Sequence, residues 1–517
     1  MLKNAFNLLI LDPRIKQYQT TIPTDPIPDE LSQKITNITK DIPTSLLLEN
    51  FDQKPVLSCI VLEIRLKNDK NIHINDPTYA SLFDLLTASL SLPQHDFVWN
   101  EGENQDIFQQ QIRVKSYYIS RLIDEVLDHF DGISSNSIQK MTLLDKLSVF
   151  YKSDGVPWSN SSISRVCNSC LKKLKPTEKE ILQLLLSMKD TLKELNEINR
   201  QNSKITKRGY RRHLAHADLF RGISPLLGSS FSSILNQSDA FNKAHIGKVQ
   251  SLRYMLDKLS LSDIEGYWNM ILPLLLHFLD DTNLMIKAVA CKNLITILEK
   301  IENKTSNIIT KTDIGKVLFD SVIPCLLALP SLTPVSESMK ILPSAYRSIF
   351  LLIDVGFSKR KDVYYTKLDS VLNDFVLSSL GKVGDYPELV IFLIDVILVD
   401  IIPRLKAYYI VVSKAICYAG LNILSNPYSV YSPEMLSKCI ELIEVVLDKT
   451  QNPEKFKYDI FSCLMLVMKR IDKYQSTNEK ALAVRETAST IITNRLDLAK
   501  EMVKIRAFIR NGYTNVN

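Results

Sequence analysis

Through the second half of the chain, apolar residues recur at the spacing of one face of an α-helix. Leu368, Val371, Leu372, Phe375 and Val376 stand at offsets of 0, 3, 4, 7 and 8, which a period of 3.6 residues gathers into one stripe. Leu436, Cys439, Ile440, Ile443, Val446 and Leu447 repeat the spacing, as do Phe456, Ile460, Cys463, Leu464, Val467, Met468 and Ile471. No comparable run alternates with the period of two that a half-buried strand would show. From Ile246 onward these periods follow one another with only short breaks holding Pro, Asn or Asp, so the pattern predicts a series of packed helices.

The first half carries the signal less regularly. Pro23, Pro26, Pro28 and Pro43 break the early part into loops and short helices. Asp76-Pro77 supplies a cap and a first-turn proline for a helix over Tyr79 to Leu92. The polar run Gln94 to Gln111, with Asp96, Glu101, Glu103 and Asp106, has the composition of a linker. Helices follow near Ile112 to Phe130 and Ile138 to Tyr151. Thr177 and Glu180 have capping-box spacing ahead of a further helix reaching Ile198. Asn199 to Lys243, rich in Ser, Gly and Arg, reads as an irregular connector. These changes of pattern divide the chain into a helical region with loops (1–111), a helical region with a connector (112–245) and a region of helical repeats (246–517).

Tyr267 to Ile301 joins two helices in an informative way. Pro273 falls inside the first, where it frees a backbone carbonyl and bends the helix, with Leu272, Leu275, Leu276 and Leu279 as the expected core side. Asp280 and Asp281 sit at the turn, where a carboxylate accepts from the N–H groups that open the next helix. The second helix continues with Lys287, Ala288, Cys291, Leu294, Ile295 and Leu298. Proline, turn aspartate and an early basic residue together resemble a HEAT repeat, in which Lys287 is expected to pair with carboxylates of its own or the neighbouring unit. Further units are expected over Val317 to Leu352, with Pro324 inside its first helix and Pro330 closing it, over Leu389 to Leu424 around Pro403, and over Met435 to Ile471. The expected fold class is all-α: an α-solenoid of HEAT-like antiparallel helix pairs, with a less regular helical N-terminal part.

Composition agrees with this and narrows the function. Of 517 residues, 45% are hydrophobic and 23% charged, enough to build a substantial core. Only 14 are glycine, which argues against a fold that needs many left-handed turns or phosphate-cradling loops. Leu389 to Ile402 is the most apolar stretch, but it is shorter than a membrane span and holds Asp395 and Asp400, so it reads as a core helix. Eight cysteines, mostly within apolar runs, suit a reducing compartment, and Met1 to Leu11 lacks the core of a signal peptide. A cytoplasmic or nuclear location is therefore expected.

Candidate chemistry is sparse. Cys167 and Cys170 have C-x-x-C spacing, and His213 and His216 follow as H-x-x-H, yet the gap between the pairs far exceeds that of a zinc finger. There is no phosphate-binding glycine loop, nucleophile elbow or H-E-x-x-H motif, so neither catalysis nor a cofactor is expected. The net charge of +6 is too small to imply a nucleic-acid partner unless concentrated. One concentration exists: Lys204, Lys207, Arg208, Arg211 and Arg212, with Tyr210 among them and no acid from Ile198 to Ala217. A solvated loop, a docking site for an acidic protein segment, and a phosphate or nucleic-acid contact all account for it.

The stretch from Trp268 through ILPLLLHFLDDTNLMIKAVACKNLITIL, then Ile314-Gly315, Leu318 to Pro324, Leu329-Pro330 and Ser344-Ala345-Tyr346 together resemble the family of the smaller Tel-Two-Interacting protein, a subunit of the TTT (Triple-T) cochaperone complex. The resemblance implies a HEAT-like scaffold without catalytic activity, bound to the larger Tel-Two-Interacting subunit and the Tel-Two protein. It also implies work with the Hsp90 system on newly made phosphatidylinositol-3-kinase-related kinases, and so an indirect part in the DNA-damage response. A HEAT-repeat adaptor for the transport or assembly of other cargo, and a nucleic-acid-associated helical protein, are the alternative readings. Partner contacts are expected in the C-terminal half, where Tyr408, Tyr409, Tyr428 and Tyr431 are candidate anchors beside their use in core packing.

Overall fold

The computed structural model describes residues 2–23, 27–49, 51–68, 77–93, 97, 99, 103–129, 137–153, 155–188, 246–304, 306–311, 314–450 and 453–512. Among them every regular element is a helix, so the all-α expectation holds. Packing separates the chain into two compact units, Met1–Lys304 and Thr305–Asn517. The expected boundaries follow composition and these units follow contacts: residue 111 lies inside a helix.

The principal helices of the first unit are α1 (Pro55–Asn68), α2 (Pro77–Ser89), α3 (Glu103–His129), α4 (Ser137–Ser148), α5 (Ser161–Lys173), α6 (178–188), α7 (Lys248–Lys258), α8 (Trp268–Asp280) and α9 (Leu284–Lys304). Helix α3 is the spine, packed on α1 and α5 through Val114, Tyr118, Leu122 and Ile123, all buried. It begins at Glu103, so part of the expected linker is helical. Glutamines are good helix formers, and a polar turn needs only one apolar face to dock. The expected capping box of α6 is formed: Glu180 N donates to Thr177 Oγ1 at 3.3 Å, and Thr177 N donates to Glu180 Oε2 at 2.7 Å.

The second unit contains α10 (Gly315–Leu326), α11 (Val335–Phe357), α12 (Lys361–Ser370, continued by a π-helical turn over Val371–Leu377), α13 (Pro387–Asp395, with a π-helical turn over Val396–Ile401), α14 (Tyr409–Ser425), α15 (Pro433–Lys449), α16 (Lys457–Tyr474) and α17 (Glu479–Thr490). Helices α10 and α11 pair, as do α14 and α15, and α16 and α17. Helices two apart in order touch as well: α13 with α15, α14 with α16, and α15 with α17. Contact with both the partner helix and the equivalent helix of the next pair is the packing of a solenoid. The breaks have local causes. Pro403 has no N–H for the carbonyl four residues earlier, Lys406 then takes φ 47°, and the chain turns into α14. Pro427 ends α14, and Pro433 opens α15. Gly420 lets α14 and α15 approach closely, since a Cβ there would stand 3.3 Å from Ile443 Cδ1.

Candidate partner-binding surface

The proline and aspartates of the repeat motif lie where the sequence places them, with different detailed roles. Pro273 is inside α8 and exposed, where water can serve the carbonyl it frees. The buried stripe of α8 is Ile271, Leu274, Leu275, Phe278 and Leu279, whereas Leu272 and Leu276 are only half-buried. The expected stripe is therefore turned: in so apolar a run, several phases satisfy the same period.

At the turn, Asp281 Oδ1 accepts from Asn283 N at 2.7 Å, and Asn283 Oδ1 accepts from Met285 N at 2.9 Å. Asn283 thus caps α9, and Asp281 shapes the turn before it. Asn283 Nδ2 also donates to the carbonyl of Phe97 at 2.8 Å, tying the turn to the N-terminal part of its unit. Asp280 is exposed. Lys287 is half-buried and makes no ion pair among the described residues, contrary to its expected role. Pro324 lies exposed near the end of α10, and Pro330 in the turn that follows.

The polar joint of α9 comes from residues the sequence reading missed. Lys300 Nζ donates to the carbonyls of Leu256, Asp257 and Leu259 at 2.6, 3.2 and 2.6 Å, closing the C-terminus of α7 with a positive charge. Asn293, seven residues earlier on the same face, donates to the Val249 carbonyl at 3.0 Å. The second unit repeats the device: Arg470 of α16 donates to the carbonyls of Leu424, Ser425 and Asn426 at 3.4, 2.9 and 3.1 Å, closing α14. Two polar residues seven apart within an apolar helix were the available signal for Asn293 and Lys300.

Cys167 and Cys170 are spent on packing. On one face of α5, both are buried against α3; Cys167 Sγ lies 3.2 Å from Ser120 Oγ, and Cys170 Sγ donates to Asp124 Oδ1 at 3.6 Å. Burial pushes the Cys167 thiol up to about 12 and the Cys170 thiol well up, so both are held as neutral thiols. Among the described residues no group of three or more His, Cys, Asp or Glu is placed to hold a metal ion. His213, His216 and the basic cluster Lys204, Lys207, Arg208, Arg211 and Arg212 lie outside the described residues. No helix of the described residues is long and apolar enough to cross a membrane.

The four tyrosines separate by exposure. Tyr409 is buried, and Tyr408 is half-buried, stacked on Tyr365 with ring centres 5.3 Å apart. Tyr428 and Tyr431 are 73% and 62% exposed. They share the segment after α14, where the Asn426 side chain accepts from Tyr428 N at 3.0 Å and fixes the turn. Rings held outward on a braced turn lose little entropy when a partner covers them.

The model of the Tti2 family matches residues 143–430, from α4 to the turn after α14 that carries Tyr428. No curated protein and no solved structure matches the chain.

Proposed function

The chain belongs to the Tti2 family, and from that premise we propose that it is a non-catalytic scaffold subunit of the TTT cochaperone complex, supporting the maturation of phosphatidylinositol-3-kinase-related kinases. Its partners in this reading are the larger Tel-Two-Interacting subunit and the Tel-Two protein, with Hsp90 and the kinases engaged through the assembly. It works in the cytoplasm and nucleus, consistent with eight free thiols.

The family match over residues 143–430 carries the reading. The architecture supports it, because a stack of helix pairs presents long ridges of side chains and needs no reacting group to hold another protein. The braced tyrosines Tyr428 and Tyr431 are suited to anchor such a contact.

Affinity purification of the tagged chain from its own cells, with mass spectrometry of what is retained, tests the proposal. Recovery of both larger subunits in comparable amounts is the expected result. Recovery of transport cargo or ribosomal RNA without either subunit would favour the adaptor or nucleic-acid readings and overturn this one.

A further inference from the structure

One side of α14 carries a groove that packing leaves unfilled. Val411, Lys414, Tyr418, Asn422 and Asn426 follow one another every three or four residues, so they line one side of the helix over about 22 Å. Toward the start of α14 lies a hollow of about 460 Å³, bordered by Ile410, Val411, Lys414, Lys449, Lys455 and Phe456. Toward its end lies another of about 310 Å³, walled by Gly381, Gly384, Ala415 and Ala419. Tyr418 lines both and stands between them. Its hydroxyl donates to Asp459 Oδ2 at 2.6 Å, which holds the ring in place.

The two ends differ in chemistry. Lys414, Lys449 and Lys455 are exposed, and none forms an ion pair among the described residues. Two of the acids near them are already paired with cations, Glu454 with Lys457 at 3.4 Å and Asp448 with Arg495 at 2.8 Å, while Asp459 accepts from Tyr418 and keeps its charge. Around the same hollow the hydroxyls of Tyr409 and Thr450 lie against each other, so its lining is polar as well as basic. The other end is walled by Gly381, Gly384, Ala415 and Ala419 together with Leu377, Leu380 and Ile423, beside the exposed amide of Asn422. Three ammonium groups outside any ion pair at one end, Lys414 also over the Tyr418 ring with its centre 5.9 Å away, and a less polar wall at the other suit a chain that is acidic at one end and closely applied at the other.

We propose that this groove docks an extended, acidic segment of a partner protein, with its carboxylates at Lys414, Lys449 and Lys455 and its small side chains over Ala415 and Ala419. A groove of this length takes about six or seven extended residues. Nucleic acid is the poorer match, because its phosphates repeat along the strand whereas the cations here sit at one end. The assignment goes beyond membership of the TTT assembly and holds whichever protein supplies the segment.

Fluorescence anisotropy with the full chain tests it, using a labelled degenerate peptide pool with acids fixed in its first half and small residues in its second. A pool with lysine at the fixed positions and a single-stranded oligonucleotide serve as comparisons. The acidic pool is expected to bind about ten-fold more tightly than either, and the triple substitution Lys414→Glu, Lys449→Glu and Lys455→Glu to abolish that preference. Ala419→Trp, which keeps every lysine, is expected to weaken binding about three-fold by filling the small-residue end. Asn422→Trp, at an exposed position, makes the same test if Ala419→Trp disturbs folding. Equal binding of the two pools, oligonucleotide binding as tight as the acidic pool, or an acidic preference that survives charge reversal would overturn the assignment.

Discussion

Lys300 Nζ lies 2.6 Å from the carbonyl oxygen of Leu256, so a cation on α9 closes the helix two places earlier in the stack. Arg470 does the same for α14 from α16. A helix end buried against its neighbours needs partners for its last carbonyls, and a basic side chain from the next pair supplies them while favouring the negative end of the helix dipole.

Replacing Lys300 with Met keeps the aliphatic stem and leaves these carbonyls without their donor. The expected cost is about 2 kcal/mol, read as a lower urea midpoint with an unchanged slope. Arg470→Met is expected to act in the same direction. An unaltered midpoint for Lys300→Met would show that the joint contributes nothing.

Asp12 gives the first unit an acid-sensitive point. The Lys34 ammonium, 2.7 Å away, is the main cause of a carboxyl pKa of about 2, and the Arg14 backbone N–H adds to it. Because the folded value is depressed, the stabilisation is fully present above the ordinary carboxylate range and is lost as pH falls from about 4 toward about 2. Asp12→Asn is expected to flatten the acid unfolding profile in that window and leave it unchanged near neutrality in shape. A profile of wild-type steepness in the variant would contradict this.

Thr177 and Glu180 bond each other's backbone N–H groups at the start of α6, and Glu180 also pairs with Lys140 at 2.8 Å. Thr177→Ala is expected to cost about 1 kcal/mol, seen as faster amide exchange in residues 178–188. Exchange at the wild-type rate would mean that tertiary packing alone holds this helix end.

Seven of the eight thiols are buried and Cys463 is half-buried. Burial pushes Cys167, Cys417 and Cys439 up to about 12, which removes the reactive thiolate near neutral pH. Alkylation of the folded chain followed by peptide mapping is expected to modify Cys463 first, with the others reacting after unfolding. Early modification of Cys167 or Cys170 would contradict the packing described for α5.

The all-helical stack was legible because its signal is redundant: each helix repeats a 3.6-residue period over several turns, and Pro403, expected between two helices, falls at the break before α14. Phase was less legible. In ILPLLLHFL nearly every position is apolar, so the choice of Ile271 and Leu274 over Leu272 and Leu276 is made by the neighbouring helices. Single polar contacts were least legible, because a lysine inside an amphipathic helix carries no local mark of its partner. Lys287 had the expected motif position and makes no ion pair among the described residues, whereas Lys300 reaches the end of α7 some forty residues away in sequence. The groove beside α14 depends on Gly381, Gly384, Lys449 and Lys455 meeting one helix, which no spacing within that helix encodes.

The central claim is that this chain holds other subunits through a helical surface. Sedimentation velocity of the purified chain mixed with the larger Tel-Two-Interacting subunit and the Tel-Two protein tests it most directly. The account predicts one boundary containing all three, weakened when Tyr428 and Tyr431 are both changed to Ala; three independently sedimenting species at micromolar concentration would contradict it.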